Sequence, residues 1–242
     1  MKVELLEIDS EVFGRNVLAI SDFSASDDLA LAEAGYVKEF RPGYVSCKVA
    51  VNDLAVIHAL EKRGFNFVEC QIKSLVRFRR PFDTAGFPYV FERVTNERQL
   101  GDVLAIAGAT FTEDRFTADP GVGKALSGER YRRYVRRSFE AKDEAVYRLV
   151  DPRDGQTLAF KTHRYVGKDE VLFLLGGVHP EYKAVGLGTV NEYFEFNELM
   201  SKGIKQGHTH ISAANFAVFN LEIGRLGFRV VAVYAVLRKL YD

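Results

Sequence analysis

The segment Val178-His-Pro-Glu-Tyr-Lys-Ala-Val-Gly-Leu-Gly-Thr189 carries the residue types and spacing best suited to chemistry in this chain. Gly186 and Gly188 let the backbone approach a ligand without a Cβ in the way. Lys183, Ala184, Val185, Gly186, Leu187, Gly188 and Thr189 then present N–H groups at the start of a helix, where the dipole favours an anion such as a phosphate. The spacing is neither the Gly-x4-Gly-Lys-Ser/Thr of a phosphate loop nor the Gly-x-Gly-x-x-Gly of a dinucleotide fingerprint. An ordinary strand-to-helix turn that happens to hold two glycines is the plain alternative. His163 and Tyr165 share one face of an expected strand and could help deprotonate an amine, in part through water. A packed structural histidine is the simpler account of His163. The close pair His208-x-His210 is weak evidence for a metal, and no metal site is expected.

Positioning these residues requires strands that deliver them and helices that cover them. The apolar run before the glycine loop, residues 171–178, reads as a buried strand. After the loop, Val190, Tyr193, Phe194, Asn197 and Met200 fall on one helical face. Further strands are expected at residues 4–8, 16–20, 43–50, 67–78, 89–94, 145–150, 158–166, 209–213 and 228–239. Helices are expected at residues 27–34, 53–63, 96–109, 128–141 and 215–226. The linker Arg79-Arg-Pro-Phe-Asp-Thr-Ala-Gly-Phe-Pro88 divides the chain into residues 1–82 and 83–242. Across that division Asn52–Phe65 parallels Asn215–Phe228 without a gap: asparagine can cap each helix and Gly-Phe can end it. Arg41-Pro-Gly-Tyr44, upstream of the first copy, is no phosphate loop, so only the C-terminal copy is expected to bind a cofactor.

The glycine segment resembles the acetyl-CoA loop of the GNAT superfamily of N-acetyltransferases, Val-x-Pro-x-x-Arg/Gln-x-x-Gly-x-Gly, with Lys183 in the Arg/Gln place. Residues 215–228 resemble a second GNAT signature, Asn-x-x-Ala-x-x-Leu-Tyr-x-x-x-Gly-Phe, with one extra residue between Asn215 and Gly227. That resemblance implies an α/β (α+β) fold, a GNAT-type mixed central sheet flanked by helices, with a smaller N-terminal αβ half-domain that is a degenerate copy. It implies acetyl-CoA, or another acyl-CoA, as co-substrate. Val178 and the loop would hold it, with Asn215 beside its chain. It also implies a tyrosine donor, but that place holds Glu222 counted from Asn215, or Ile223 counted from Gly227. A helix glutamate is by default solvated; Glu222 could donate only if burial raised its pKa by several units. Tyr234 on the closing strand is the second catalytic candidate.

A third constellation, Asp114-Arg-Phe-x-x-Asp-Pro120 followed by Tyr131-x-x-Tyr134, resembles a narrower GNAT branch, the dTDP-fucosamine acetyltransferases. Asp9-Ser-Glu-Val-Phe-Gly14 matches that branch's N-terminal pattern except at Val12. By this resemblance Arg115 and Phe116 lie on the acceptor side, with His163 and Tyr165, and a guanidinium there suits a phosphate. Arg130, Arg132, Arg133, Arg136 and Arg137 flank an apolar helix face and read by default as solvated.

Composition sets the outer bounds. The 242 residues hold 33 basic and 33 acidic side chains, so no overall field recruits nucleic acid or a membrane surface. Hydrophobic content of 47% and aromatic content of 12% supply a packed core. Cys47 and Cys70 read as buried thiols of a cytoplasmic chain, and the N-terminus lacks a signal-peptide core. The expected activity is N-acyl transfer to a small amine, a nucleotide-linked amino sugar being one acceptor and a homodimer being compatible. The alternatives are a protein or aminoglycoside amine as acceptor, or an inactive relative that binds CoA or a partner without turnover.

Overall fold

The computed structural model describes residues 1–23, 27–111, 119, 126–183 and 186–241. In chain order its elements are β1 (Lys2–Leu5), α1 (Glu7–Phe13), β2 (Val17–Ser21), α2 (Leu29–Phe40), β3 (Tyr44–Ala50), α3 (Leu54–Lys62) and β4 (Asn66–Arg77). After the linker come β5 (Val90–Arg93), α4 (Glu97–Thr110), α5 (Ser127–Glu140), β6 (Glu144–Val150), β7 (Thr157–Tyr165) and β8 (Glu170–Val178). The chain ends with α6 (Leu187–Ser201), β9 (Gln206–Ser212), α7 (Phe216–Leu221), a π-helical turn (Glu222–Leu226) and β10 (Arg229–Leu240).

All ten strands form one mixed sheet, ordered β1-β2-β3-β10-β4-β9-β8-β7-β6-β5. Its centre is an antiparallel exchange: the last strand, β10, lies between β3 and β4, while β4 lies between β10 and β9. The order β3-β10-β4-β9 places β3–α3–β4 and β9–α7–β10 in equivalent positions about the β10/β4 pair. The equivalence extends outward, since β2 runs parallel to β3 and β8 runs parallel to β9. The sequence repeat is thus a topological repeat in which each copy gives its final strand to the other. On this frame the counterpart of the glycine loop is the β2–α2 connection, rather than the Arg41–Tyr44 turn compared at the sequence level.

Local chemistry accounts for most of these elements. Asn96, Asp53 and Asn215 cap their helices by accepting from the N–H groups of Gln99, Val56 and Val218. Gly227 closes the last helical segment in the left-handed region, at φ +77°. Residues 7–13 correct the expected strand at 4–8: they are helical, with Glu7 and Asp9 in the first turn and left-handed Gly14 at the end. Cys47 and Cys70 are free thiols on strands separated by β10.

Separate apolar clusters pack against the two ends of the sheet, one around Leu18, Val45, Leu60 and Leu237, the other around Leu100, Val103, Val146 and Phe160. Leu237 belongs to β10, so the N-terminal cluster is completed by the end of the chain. Residues 1–82 expressed alone should therefore show no cooperative thermal transition, because β3 and β4 lose the strand between them. A sigmoidal melt by circular dichroism would contradict this.

Candidate functional site

β8 and β9 pair only from Glu170 to Leu172, opposite Gln206 to His208, although β8 runs on to Val178 and β9 to Ser212. Beyond that point the sheet opens into a V. Phe173 plugs the vertex: its ring stacks on Phe196, and a Cβ on Gly207 would lie 2.4 Å from it, so only glycine fits opposite. At Leu174 the register with β7 shifts, His163 facing Phe173 but Thr162 facing Leu175. The bulge re-aims the backbone at the mouth of the opening. A cavity of about 370 Å³ fills the V, lined by Leu174–Gly176, Thr209–Ser212, Lys161, Glu192, Glu195, Asn215 and Glu222, with Lys48, Glu69, Gln71, Arg130 and Tyr131 on its far walls.

The cavity floor is charged. Lys161 on β7 bonds to Glu192 and lies 3.5 Å from Glu195. Behind it, the fully buried His163 places Nδ1 2.9 Å from Glu195 Oε1. Glu222 is 7% exposed and accepts a hydrogen bond of 3.0 Å from the Ser74 hydroxyl. Burial, reinforced by the charge of Glu192, pushes its carboxyl up to about 8. Glu192 is raised too, first by burial and then by Glu195, against the attraction of Lys161. Lys161 is the opposite case: its carboxylate neighbours outweigh its desolvation and hold it charged.

Glu222 follows α7 directly, and Asn215, Val218 and Glu222 fall on one α-helical face that lines the cavity. The extra residue that separates this chain from the family signature is absorbed by the i→i+5 turn of Glu222–Leu226.

The glycine loop opens α6, the helix whose Glu192 and Glu195 line the cavity. Gly186 is the N-cap of α6 at φ +78°, and no side chain caps that helix among the described residues. No atom lies within 4 Å of where a Gly186 Cβ would stand, so the space over the helix start is open. Gly188 has room as well, its nearest neighbour being a Val178 methyl 3.8 Å away. An open, uncapped helix start of this kind fits a phosphate group. Lys183 is exposed beside it. Leu187 is buried, and Thr189 donates its N–H to the Gly186 carbonyl. Ala184 and Val185 lie outside the described residues. Val178 packs on the core beneath the loop, and its carbonyl accepts from the Thr110 hydroxyl.

The remaining expected residues divide sharply. Asn215 lines the cavity, and its side chain also caps α7. Tyr234 is half-buried on β10, separated from β8 by β4 and β9, and is not among the lining residues. His163 reaches the cavity only through Glu195. Tyr165 faces Val171 on the closed side of the V and packs with Leu199 and Ile204. Arg115 and Phe116 lie outside the described residues, but Asp119 of the same motif is buried and accepts from Arg238 on β10 at 2.7 and 3.0 Å. Arg130 corrects the reading of the α5 arginines as solvated: it is buried, its Nε 2.6 Å from the wholly buried Asp9, whose other oxygen accepts from Tyr134. Sequence reasoning missed Lys161, Glu192 and Glu195. Their signal was a set of charges on faces that should be apolar: Lys161 and His163 alternating on an inner strand, and Glu195 in step with Leu187, Asn191 and Leu199 on the buried side of α6.

This arrangement puts a buried carboxyl and an uncapped helix start at the open edge of a parallel strand pair. A family model of the acetyltransferase (GNAT) domain matches residues 71–211. The chain belongs to the GNAT family. Its fold resembles a GCN5-related N-acetyltransferase from Sphaerobacter thermophilus, with a TM-score of 0.71 at 12% identity over 98% of this chain and 76% of that one. It also resembles a tandem GNAT protein from the clavulanic acid biosynthesis pathway, with a TM-score of 0.62 at 11% identity over 93% and 75% of the two chains. A third likeness is to a GCN5-related glucosamine N-acetyltransferase region of a fungal multi-domain β-N-acetylglucosaminidase, with a TM-score of 0.67 at 11% identity over 93% of this chain and 30% of that one. No curated protein sequence matches the chain. Among the described residues no helix is long and apolar enough to cross a membrane.

The buried Asp9–Arg130 pair ties α1 to α5 at the cavity rim. Asp9→Ala would take the carboxylate from a buried guanidinium, and should lower the unfolding free energy by roughly 3–5 kcal/mol. Urea denaturation checks this; a loss under ~1 kcal/mol would mean the pair behaves as a solvated one.

Proposed function

We propose that this GNAT-family chain is an acetyl-CoA-dependent N-acetyltransferase acting on a small polar amine, and that Glu222 is its proton donor. The observation that carries the reading is the juxtaposition of the uncapped, open start of α6 with a cavity holding a buried carboxyl that stays protonated at neutral pH. Acetyl-CoA, when bound, supplies an activated acyl group. The N–H groups around Gly186–Thr189 would hold its pyrophosphate, with Lys183 adding a point charge. Asn215 and the free edge of β8 beyond Leu172 would flank its chain.

The protein's own groups supply the rest. Ser74 donates to Glu222 Oε2, which leaves Oε1 to carry a proton toward the departing thiol. Glu192, backed by Lys161 and Glu195, is the nearest carboxylate set able to accept the amine's proton. Tyr234 lies off the cavity wall, so Glu222 is favoured over it. The walls are rich in hydrogen-bonding groups, including Glu69, Gln71, Thr209 and Ser212, and they suit a hydroxylated amine better than an apolar one. An amino sugar is such an amine; a nucleotide-linked one of the dTDP-fucosamine kind is the specific case the Asp9 and Asp119 motifs favour. By the same reading residues 1–82 form a half-domain that shapes the acceptor side and binds no CoA. Its counterpart helix, α2, already has an anion at its start: the Asp28 carboxylate accepts from the N–H groups of Ala30 and Leu31 at 3.0 Å.

Gly188→Asp tests the loop without left-handed strain, because a Cβ there has room and an acidic residue suits the first helical turn. Melting temperature should hold or rise, while acetyl-CoA affinity falls at least tenfold by calorimetry. Unchanged affinity would remove the basis of the reading. A wild-type chain that releases thiol with no amine in a panel of amino sugars, nucleotide-linked amino sugars and peptide N-termini, yet binds acetyl-CoA, would be a binder without turnover.

Glu222→Gln should lower kcat by about ten- to a thousandfold with little change in KM for acetyl-CoA. Wild-type kcat should fall as pH rises through about 8, where the donor loses its proton. The sign for stability follows from the same shift. A carboxyl raised from 4.5 to about 8 on folding favours the native state at low pH, and that advantage disappears as pH climbs through the raised value. The glutamine variant should therefore gain more in melting temperature over wild type at pH 9 than at pH 5. If kcat survives in Glu222→Gln but falls in Tyr234→Phe, the donor is on the closing strand.

A further inference from the structure

A second, larger cavity lies on the other side of the π-helical turn, between α6, the end of β4 and the start of β10. Its volume is about 1000 Å³, and its floor is made by Phe78, Phe82, Phe196, Leu226 and Phe228. Four arginines stand around it, Arg77, Arg79, Arg80 and Arg229, with no lysine among the lining residues. All four are exposed, and none makes an ion pair or side-chain hydrogen bond among the described residues. Other guanidinium groups are paired with carboxylates, among them Arg63 with Glu33, Arg136 with Glu97, Arg148 with Glu92 and Arg238 with Asp119. The one acid in the lining, Asp83, is turned to its own backbone, accepting from the N–H of Ala85 at 3.0 Å.

The groove is held open by a fixed wall. Asn197 on α6 clamps the linker through both of its amide atoms, accepting from the Phe82 N–H at 2.8 Å and donating to the Phe82 carbonyl at 2.9 Å. The Phe82 ring stacks on Tyr193 with centroids 4.3 Å apart. Arg79 and Arg80 are therefore carried on a pinned segment. In a chain of balanced overall charge, four unpaired guanidiniums over a phenylalanine floor make a local field with a specific shape.

We propose that this groove binds a phosphate ester of nucleotide size, its phosphates on the guanidinium forks and its base on the phenylalanine floor. Arginine rather than lysine suits this ligand, because the planar fork meets phosphate oxygens in pairs and also packs against flat rings. The volume is at the upper end for a small-molecule site, larger than inorganic phosphate needs. This site shares Phe228 and the π-helical turn with the acyl-transfer cavity but none of the α6 N-terminus, so it is separate from the acetyl-CoA cradle. It does not depend on the acetyltransferase reading.

The test uses the full chain carrying Gly188→Asp, without CoA, so that the α6 loop is disabled, and titrates ADP, dTDP, thymidine and pyrophosphate by calorimetry. One equivalent of a nucleoside diphosphate should bind, with thymidine and pyrophosphate each at least tenfold weaker. Adding the double substitution Arg79→Ala/Arg80→Ala, both positions exposed, should weaken that binding at least tenfold and leave the melting temperature unchanged. An absence of nucleotide binding to the Gly188→Asp chain would overturn the proposal. So would an unchanged Kd in the double variant, or preferential binding of an acidic, phenylalanine-containing peptide over every nucleotide.

Discussion

The parting of β8 from β9 is the constraint on which the rest of this structure depends. A parallel pair that stops at Leu172 and His208 leaves strand edges that must find other partners or be reached by solvent or ligand. The separation is built in by side chains. Phe173 fills the vertex against Gly207, and the bulge at Leu174 turns β8 away from the ideal ladder. Everything that reads as a site is arranged around that opening. The glycine-capped start of α6 lies above β8, Asn215 and the π-helical turn lie beside β9, and Lys161 looks in from β7. Closing the V would give a better sheet and no cavity.

The opening also explains why charge is tolerated so deep. Burying Glu192, Glu195 and Glu222 together is unfavourable unless a cation and hydrogen bonds compensate, and Lys161 can serve only the first two closely. Glu222 meets the remaining cost by staying protonated, with Ser74 as its support. Two kinds of carboxyl result from one cluster: Glu192 and Glu195 on α6 next to a lysine, and Glu222 on the facing π-helical turn, supported by a serine hydroxyl.

Much of this was legible in the chain. The glycine loop, the strand before it and the helix after it follow from apolar period and glycine spacing, and the repeat of residues 52–65 in 215–228 announced a topological symmetry. What the sequence could not show was long-range exchange. Nothing local says that β10 returns to lie between β3 and β4, because pairing across that distance leaves no periodic trace. The strand expected at residues 4–8 holds for Glu4 and Leu5, but Glu7 and Ile8 begin α1, and only Gly14 marks that helix's end. Glu222 was legible as the residue at the signature's tyrosine place, but its burial against Ser74 depends on tertiary packing that no local pattern shows. His163 and Tyr165 were correctly put on one strand, but the register at Leu174 decides which residues of that strand see the cavity, and it selects Lys161.

The pseudo-symmetry sharpens the assignment of work between the halves. β2–α2–β3 and β8–α6–β9 are equivalent parallel units, so both helices begin at a place where a phosphate could sit. At α2 the Asp28 carboxylate already occupies the first N–H groups, and Asp27 lies 3.5 Å from the chain's own amino terminus. At α6 the same position is a bare glycine. The interior differs in the same sense. Glu33 on α2 is satisfied by Arg63, Lys239 and Tyr241, a saturated cluster that closes its side of the sheet. The carboxylates on α6 face a cavity instead, and Glu195 Oε2, 3.5 Å from Lys161 Nζ, accepts no hydrogen bond among the described residues. One copy has met its own electrostatic needs, while the other keeps them open toward a ligand.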